Sequence, residues 1–234
     1  MTHVRLTRSV LGDTLVLDRP ARRNALTLAM WLELGDQVLA HGAGAERDPL
    51  YLLGAGGYFC AGADLDALRH ARESPSDSDV FVDAVVRALL AIHLVEREVV
   101  AVVEGGAAGG GVEIMAACDR RVLLGDATLV LPFGDLGMIL DGLTRWRLDR
   151  LVGPAKVERL LDGRHVLSAD EADALGLADA RHTDLEALAV AERARPAAAP
   201  DRAPERYAPG IEALPSALRR AAAPMRRAFP PHAG

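Results

Sequence analysis

Glu113 follows directly on a run of glycines in GGGVEIMAACD (109–119), and it is the single acid between Gly109 and Cys118. A second Gly/Ala-rich turn, FCAGADLD (59–66), carries Asp64 and Asp66. Chain that ends a strand in small residues and then opens a helix exposes unpaired backbone N–H groups, and the helix dipole adds positive potential there. Glycine lets a ligand approach that backbone closely. Such a turn suits a phosphate, or a carbonyl oxygen that becomes an enolate. A carboxylate beside it can carry protons. One glycine-rich turn is a weak signal. Two of them, each after its own predicted strand, are more specific.

The elements that must position these turns are legible in the hydrophobic pattern. Residues 4–18, VRLTRSVLGDTLVLD, predict two short strands around the turn at Gly12-Asp13. RPARRNAL (19–26) is a polar loop, and 27–42 predicts a helix capped by Thr27 and closed at Gly42. PLYLLG (49–54) and VVAVVE (99–104) read as buried strands, each leading into one glycine turn. The Ser- and Asp-rich stretch 70–80 reads as mobile, and helical spacing returns over 81–95. A helix over 112–118 is followed by two strands, RRVLLGD and ATLVLPF (120–133). Residues 144–162 form a helix pair around Val152-Gly153-Pro154, and 168–176 a helix opened by Ser168 and closed by Gly176. Strands alternating with helices predict an α/β fold with parallel crossovers.

The totals narrow the function. The chain has 234 residues, half of them apolar, with a formal net charge of −6. That suits one core plus an appendage, and it disfavours a nucleic-acid binder. It leaves room for a local basic pocket that takes a phosphorylated ligand. The two cysteines, Cys60 and Cys118, form no metal-ligand pattern and read as small apolar fillers. No apolar run reaches the roughly 18 residues of a membrane helix, and the N-terminus lacks the apolar core of a signal peptide. The expectation is a cytoplasmic protein without membrane partners. From 194 to 215 the chain is heavy in Ala and Pro, and its prolines break any long helix; PSALRRAAAPMRRAF (215–229) then predicts a short basic helix.

Together, YFCAGADLDAL, VEGGAAGGGVEIMAACDRRV, LGMILDG and RLVGPAKVERLLDGRHVLSADEADALGLAD resemble the successive signatures of the enoyl-CoA hydratase/isomerase (crotonase) family, and RPARRNAL fits them. The resemblance runs in order from about residue 4 to 180. It implies a β-β-α spiral core over 1–185 and a C-terminal region, 186–234, that serves trimer assembly or forms a mobile tail. It implies a homotrimer or a dimer of trimers. It also implies an acyl-CoA substrate and no other cofactor or metal. Carried over residue by residue, the backbone N–H groups of Ala63 and Gly110 form an oxyanion hole for a thioester carbonyl. Ala25, Ala61, Ala63, Asp64, Leu65, Asp66, Gly109 and Phe133 line the substrate and coenzyme A site, and Arg22 or Arg23 meets the phosphates.

The sequence also departs from the family. Hydratases of the family use two glutamates. One matches Glu113, whereas the position of the other is Phe133, in LPFGDLG. Phe133 can neither activate water nor deliver a proton. Asp141, in LGMILDG, matches an aspartate of family members that shift double bonds or dehalogenate aryl-CoA thioesters. The favoured expectation is therefore double-bond isomerisation with Glu113 and Asp141 carrying protons. The alternatives are hydration or dehydration with rearranged acids, on a CoA- or carrier-protein-bound intermediate, or a non-catalytic binding subunit. Each acid also has a plain structural role open to it. Glu113 can stabilise a helix N-terminus, Asp141 can cap the helix near 144, and Asp135 can be a turn residue. Trp31 and Trp146 read as packing residues.

Overall fold

The computed structural model describes residues 2–42, 48–135 and 140–195. The chain opens with a hairpin, β1 (Val4–Ser9) and β2 (Gly12–Leu17), and a short 3₁₀ turn at Pro20–Arg22. There follow α1 (Leu28–Gly42), β3 (Leu50–Gly54), α2 (Leu65–His70), α3 (Pro75–Leu94), β4 (Val99–Ala108) and α4 (Gly110–Ala117). The remainder is β5 (Arg120–Leu131), α5 (Gly142–Val152), α6 (Pro154–Leu161), β6 (His165–Leu167), α7 (Ala169–Leu175), β7 (Ala180–His182) and α8 (Leu185–Ala194). One seven-stranded sheet runs in the order β1-β2-β3-β4-β5-β6, with β7 on β5. The pairs β2–β3, β3–β4 and β4–β5 are parallel, as the alternation of strands and helices predicts.

Alternation along the strands assigns the two faces. Leu50, Leu52, Val99, Ala101 and Val103 point into the main core with α1, α3 and α4. Their neighbours Tyr51, Val100 and Val102 join Val122 and Leu124 in a smaller cluster on the opposite face, closed by Leu188 of α8. Glu192 of α8 accepts hydrogen bonds from the Tyr51 hydroxyl (2.8 Å) and from Arg120. Residues 186–195 of the expected C-terminal region thus pack on the sheet, and 196–234 lie outside the described residues.

Two expectations change. Residues 75–80 are helical, because Ser74 accepts from the Asp77 N–H and Pro75 takes the first helical position, where a missing N–H costs nothing. The Ser and Asp residues there begin α3 rather than a mobile loop. Residues 120–131 form one strand where two were expected. Its first half pairs with β7 and its second with β6, while its other edge follows β4 through a register shift between Glu104 and Gly106. The break in the apolar pattern at Gly125-Asp126 marks a change of neighbours rather than a turn. The Ser168 capping box and the left-handed Gly176 at the end of α7 are as expected.

Candidate active site

The segment 60–64 is threaded between two others. Cys60 bridges to Ala107 of β4, and Ala63 bridges to Leu26. Around Ala63, the Leu26 N–H donates to Gly62 (2.7 Å) and the Asp64 N–H donates to Leu26 (2.8 Å). This pairing turns the N–H of Ala63 itself away from Leu26. Gly62 holds φ +88, and a Cβ there would lie 2.6 Å from the Ala108 carbonyl oxygen, so only glycine fits between the two segments.

Beyond Ala108 the chain turns at Gly109 into α4, whose first residue is Gly110. A Cβ built on Gly110 would lie 3.4 Å from the Ala63 nitrogen and 2.9 Å from Cζ2 of Trp31. The two glycine turns therefore converge. Among the described residues, neither the Ala63 N–H nor the Gly110 N–H donates to another backbone group. Both flank a cavity of about 100 Å³. Of the expected site residues, Ala61, Ala63, Leu65, Gly109, Gly110, Glu113 and Phe133 line it.

Glu113 is buried in the first turn of α4, and its Oε1 has no hydrogen-bond partner. Burial raises its pKa well above the ordinary carboxylate value, and the charge of Asp141 raises it further. Asp141 is fully buried and does not line the cavity among the described residues. Its Oδ1 accepts from the backbone N–H groups of Leu143 (2.8 Å) and Thr144 (3.0 Å), capping α5, while its Oδ2 has no partner. Burial raises Asp141 too, and the hydrogen bonds at α5 oppose that rise. The Thr144 hydroxyl lies beside the carboxylate without meeting hydrogen-bond geometry, so the two backbone donors carry the restraint. Asp141 is thus the helix cap that the sequence offered as its plain role, and its charge also acts on Glu113.

Other expected residues sit elsewhere. Asp64 is buried as the cap of α2 and pairs with Arg19 at 2.6 Å. Burial would raise its pKa, but Arg19 and the α2 N–H groups hold it below the usual carboxylate value. Asp66 is exposed and paired with Arg69. Arg22 and Arg23 are exposed, and Arg23 lies over the Tyr58 ring at 5.4 Å. Ala25 is half-buried in the same loop, its carbonyl accepting from Arg19. Asp135 is exposed in a turn, as its plain reading expects. Cys60 is buried, and burial pushes its thiol up to about 12, so it presents no thiolate.

Sequence reasoning missed part of the cavity wall. Trp31, taken for a packing residue, lines it, together with Leu68, Phe81, Val85 and Pro132. Phe81 and Val85 come from α3, and no short motif marks them. Asn24, also missed, is buried in the left-handed region at φ 55. It accepts from the Arg19 N–H (2.9 Å) and donates to the carbonyls of Ala55 (2.9 Å) and Tyr58 (2.6 Å). It pins the 19–26 loop to the turn that leads into Cys60. Asn24→Ala leaves these groups unpaired and puts a less tolerant residue at positive φ. It should cost about 2–4 kcal/mol, read as a lower midpoint in urea unfolding.

The chain is similar to known proteins in sequence and in fold. A sequence model described as enoyl-CoA hydratase/isomerase matches residues 13–223. A probable enoyl-CoA hydratase of Mycobacterium tuberculosis is 34% identical over 78% of this chain and 72% of its own length. A Delta(3,5)-Delta(2,4)-dienoyl-CoA isomerase of Arabidopsis thaliana is 31% identical over 70% of this chain and 62% of its own. An ethylmalonyl-CoA decarboxylase of Danio rerio is 33% identical over 75% of this chain, which spans only 58% of that relative. Among solved structures, an enoyl-CoA hydratase/isomerase family protein from Hyphomonas neptunium superposes with a TM-score of 0.74 at 30% identity, covering 82% of this chain and 73% of its own. With its seven-stranded sheet, its converging glycine turns and these matches, the chain belongs to the enoyl-CoA hydratase/isomerase family.

Proposed function

We propose that the protein acts on an acyl-CoA thioester and shifts a double bond within the acyl chain. The observation that carries this reading is the pair of buried carboxylates, Glu113 and Asp141, each with one unpartnered oxygen, behind a cavity walled by Trp31, Phe81 and Phe133. The thioester carbonyl would lie between the Ala63 and Gly110 N–H groups. The Glu113 carboxylate removes a proton from the carbon next to that carbonyl, and the electron pair moves onto the oxygen as an enolate held by the two donors. The protonated Glu113 then returns the proton to the carbon two bonds farther along, and the double bond is displaced with no net change in composition. The negative charge of Asp141 makes Glu113 a stronger base. Phe133, where a second glutamate would serve hydration, helps exclude water.

The test is turnover of a panel of enoyl-CoA thioesters in deuterated water, followed by mass spectrometry. Double-bond migration with deuterium at the α- or γ-carbon, and no mass gain from water, is the expected result. Addition of water would replace this reading by hydration. An absence of both exchange and product on every thioester in the panel would reject it.

The acid pair also sets a pH dependence. The base must be ionised, so kcat/KM should rise with pH, with its limb above the ordinary carboxylate range because the Glu113 pKa is raised. Asp141→Asn keeps a helix cap but removes the neighbouring charge. The Glu113 pKa then falls, and the limb should move to lower pH. A limb that stays in place in this variant would show that Asp141 does not act on Glu113.

A further inference from the structure

The end of α4 away from Glu113 meets a second depression. Among the described residues it is lined by Asp119, Arg121, Arg147, Arg150 and Leu151, and it has a volume of about 440 Å³. That is the size of a small-molecule site rather than of a protein groove. Arg121 is buried. Its Nη1 donates to the carbonyls of Cys118 (3.2 Å) and Asp119 (3.3 Å), its Nη2 to Asp179 (2.7 Å), and its Nε, also buried, has no acceptor. Arg147 donates through Nε to Ala116 (2.7 Å) and through Nη2 to Cys118 (2.6 Å), and its Nη1 makes no hydrogen bond among the described residues. Arg150 stacks over Trp146 at 5.0 Å. The Asp119 carboxylate is engaged by the Val99 N–H (2.8 Å).

Three guanidinium groups thus meet at a depression with Asp119 as its single lining acid, and Asp179 already paired with Arg121. Two of them are held in place by carbonyls at the C-terminal end of α4, so their geometry is fixed before any ligand arrives. Burial, and next the charge of Arg121, lower the pKa of Arg147, while Asp119 and Asp179 oppose that fall. Planar guanidinium forks match the oxygens of phosphate and carboxylate. α4 has 8 residues, so this depression lies about 12 Å along the helix from the glycine turn.

We infer that the Arg121–Arg147–Arg150 depression binds an oxyanion, a phosphate or a carboxylate, at a site separate from the acyl cavity. Inorganic phosphate is the first probe, with chloride at matched ionic strength as the control, and thermal unfolding and calorimetry as readouts. The full-length protein should show a saturable rise in Tm with phosphate, about 3–6 °C at tenfold the Kd. Arg150→Glu changes an exposed residue and should weaken phosphate at least tenfold. Repeating both titrations with coenzyme A identifies the source of the anion. Weakening of both ligands by Arg150→Glu would assign the site to a phosphate of coenzyme A, and weakening of phosphate alone would assign it to a free anion. A Tm response equal to that of chloride, or equal in Arg150→Glu and the parent, overturns the inference. Because binding is read without turnover, it can fail while the isomerase reading stands, and the reverse.

Discussion

Glu113→Gln is expected to lower kcat/KM for double-bond migration by about 10²–10⁴, with KM little changed, since the amide keeps the shape of the side chain but accepts no proton. The same substitution should raise stability. A carboxyl whose pKa is higher in the folded than in the unfolded protein holds its proton more tightly when folded. Its contribution is fully present below the unfolded value, near 4.5 for glutamate, and is lost as pH rises through the raised folded value. Glutamine does not titrate, so the Tm of the variant should exceed that of the parent at neutral and alkaline pH, and the gap should close under acid conditions. A variant that is both inactive and less stable at pH 8 would mark Glu113 as a structural residue instead.

Gly110→Ala should cost about 10²–10³ in rate, the usual effect of losing one donor to a developing oxyanion. The added methyl would lie 3.4 Å from the Ala63 nitrogen, across the space between the two N–H groups. It would also lie 2.9 Å from the Trp31 ring, which must shift. The double variant Gly110→Ala/Trp31→Phe separates these effects. The smaller ring relieves the contact, so Tm should recover while the rate stays low. Recovery of the rate along with Tm would place the damage in packing at Trp31 and leave the two N–H groups without a catalytic role.

The parts of the site that lie close together in sequence were legible. Gly109, Gly110 and Glu113 share one short segment, and Ala61, Ala63 and Leu65 share another, so each group declared itself as a motif. The strands before them were readable because buried parallel strands are continuous apolar runs. What escaped was assembled by tertiary contact. Trp31, Phe81 and Val85 reach the cavity from α1 and α3, and their spacing is that of any buried helix face. Asp64 stood inside a motif, yet it turned inward to cap α2 and meet Arg19, a partner 45 residues away. The Ser/Asp stretch that opens α3 reads as a loop because capping residues and loop residues have the same composition, and only the position of Pro75 after Ser74 tells them apart.

Asp141 divides its labour between two atoms. One oxygen holds the first turn of α5 through two N–H groups, and the other has no partner. The two N–H groups favour the ionised carboxylate, so the helix end that Asp141 holds also helps to keep it charged. The charge that raises the Glu113 pKa is thus anchored to a helix end and not to a side chain free to swing away. Amide hydrogen exchange at Leu143 and Thr144 should then be slow while Asp141 is ionised and quicken in Asp141→Ala, which removes their acceptor.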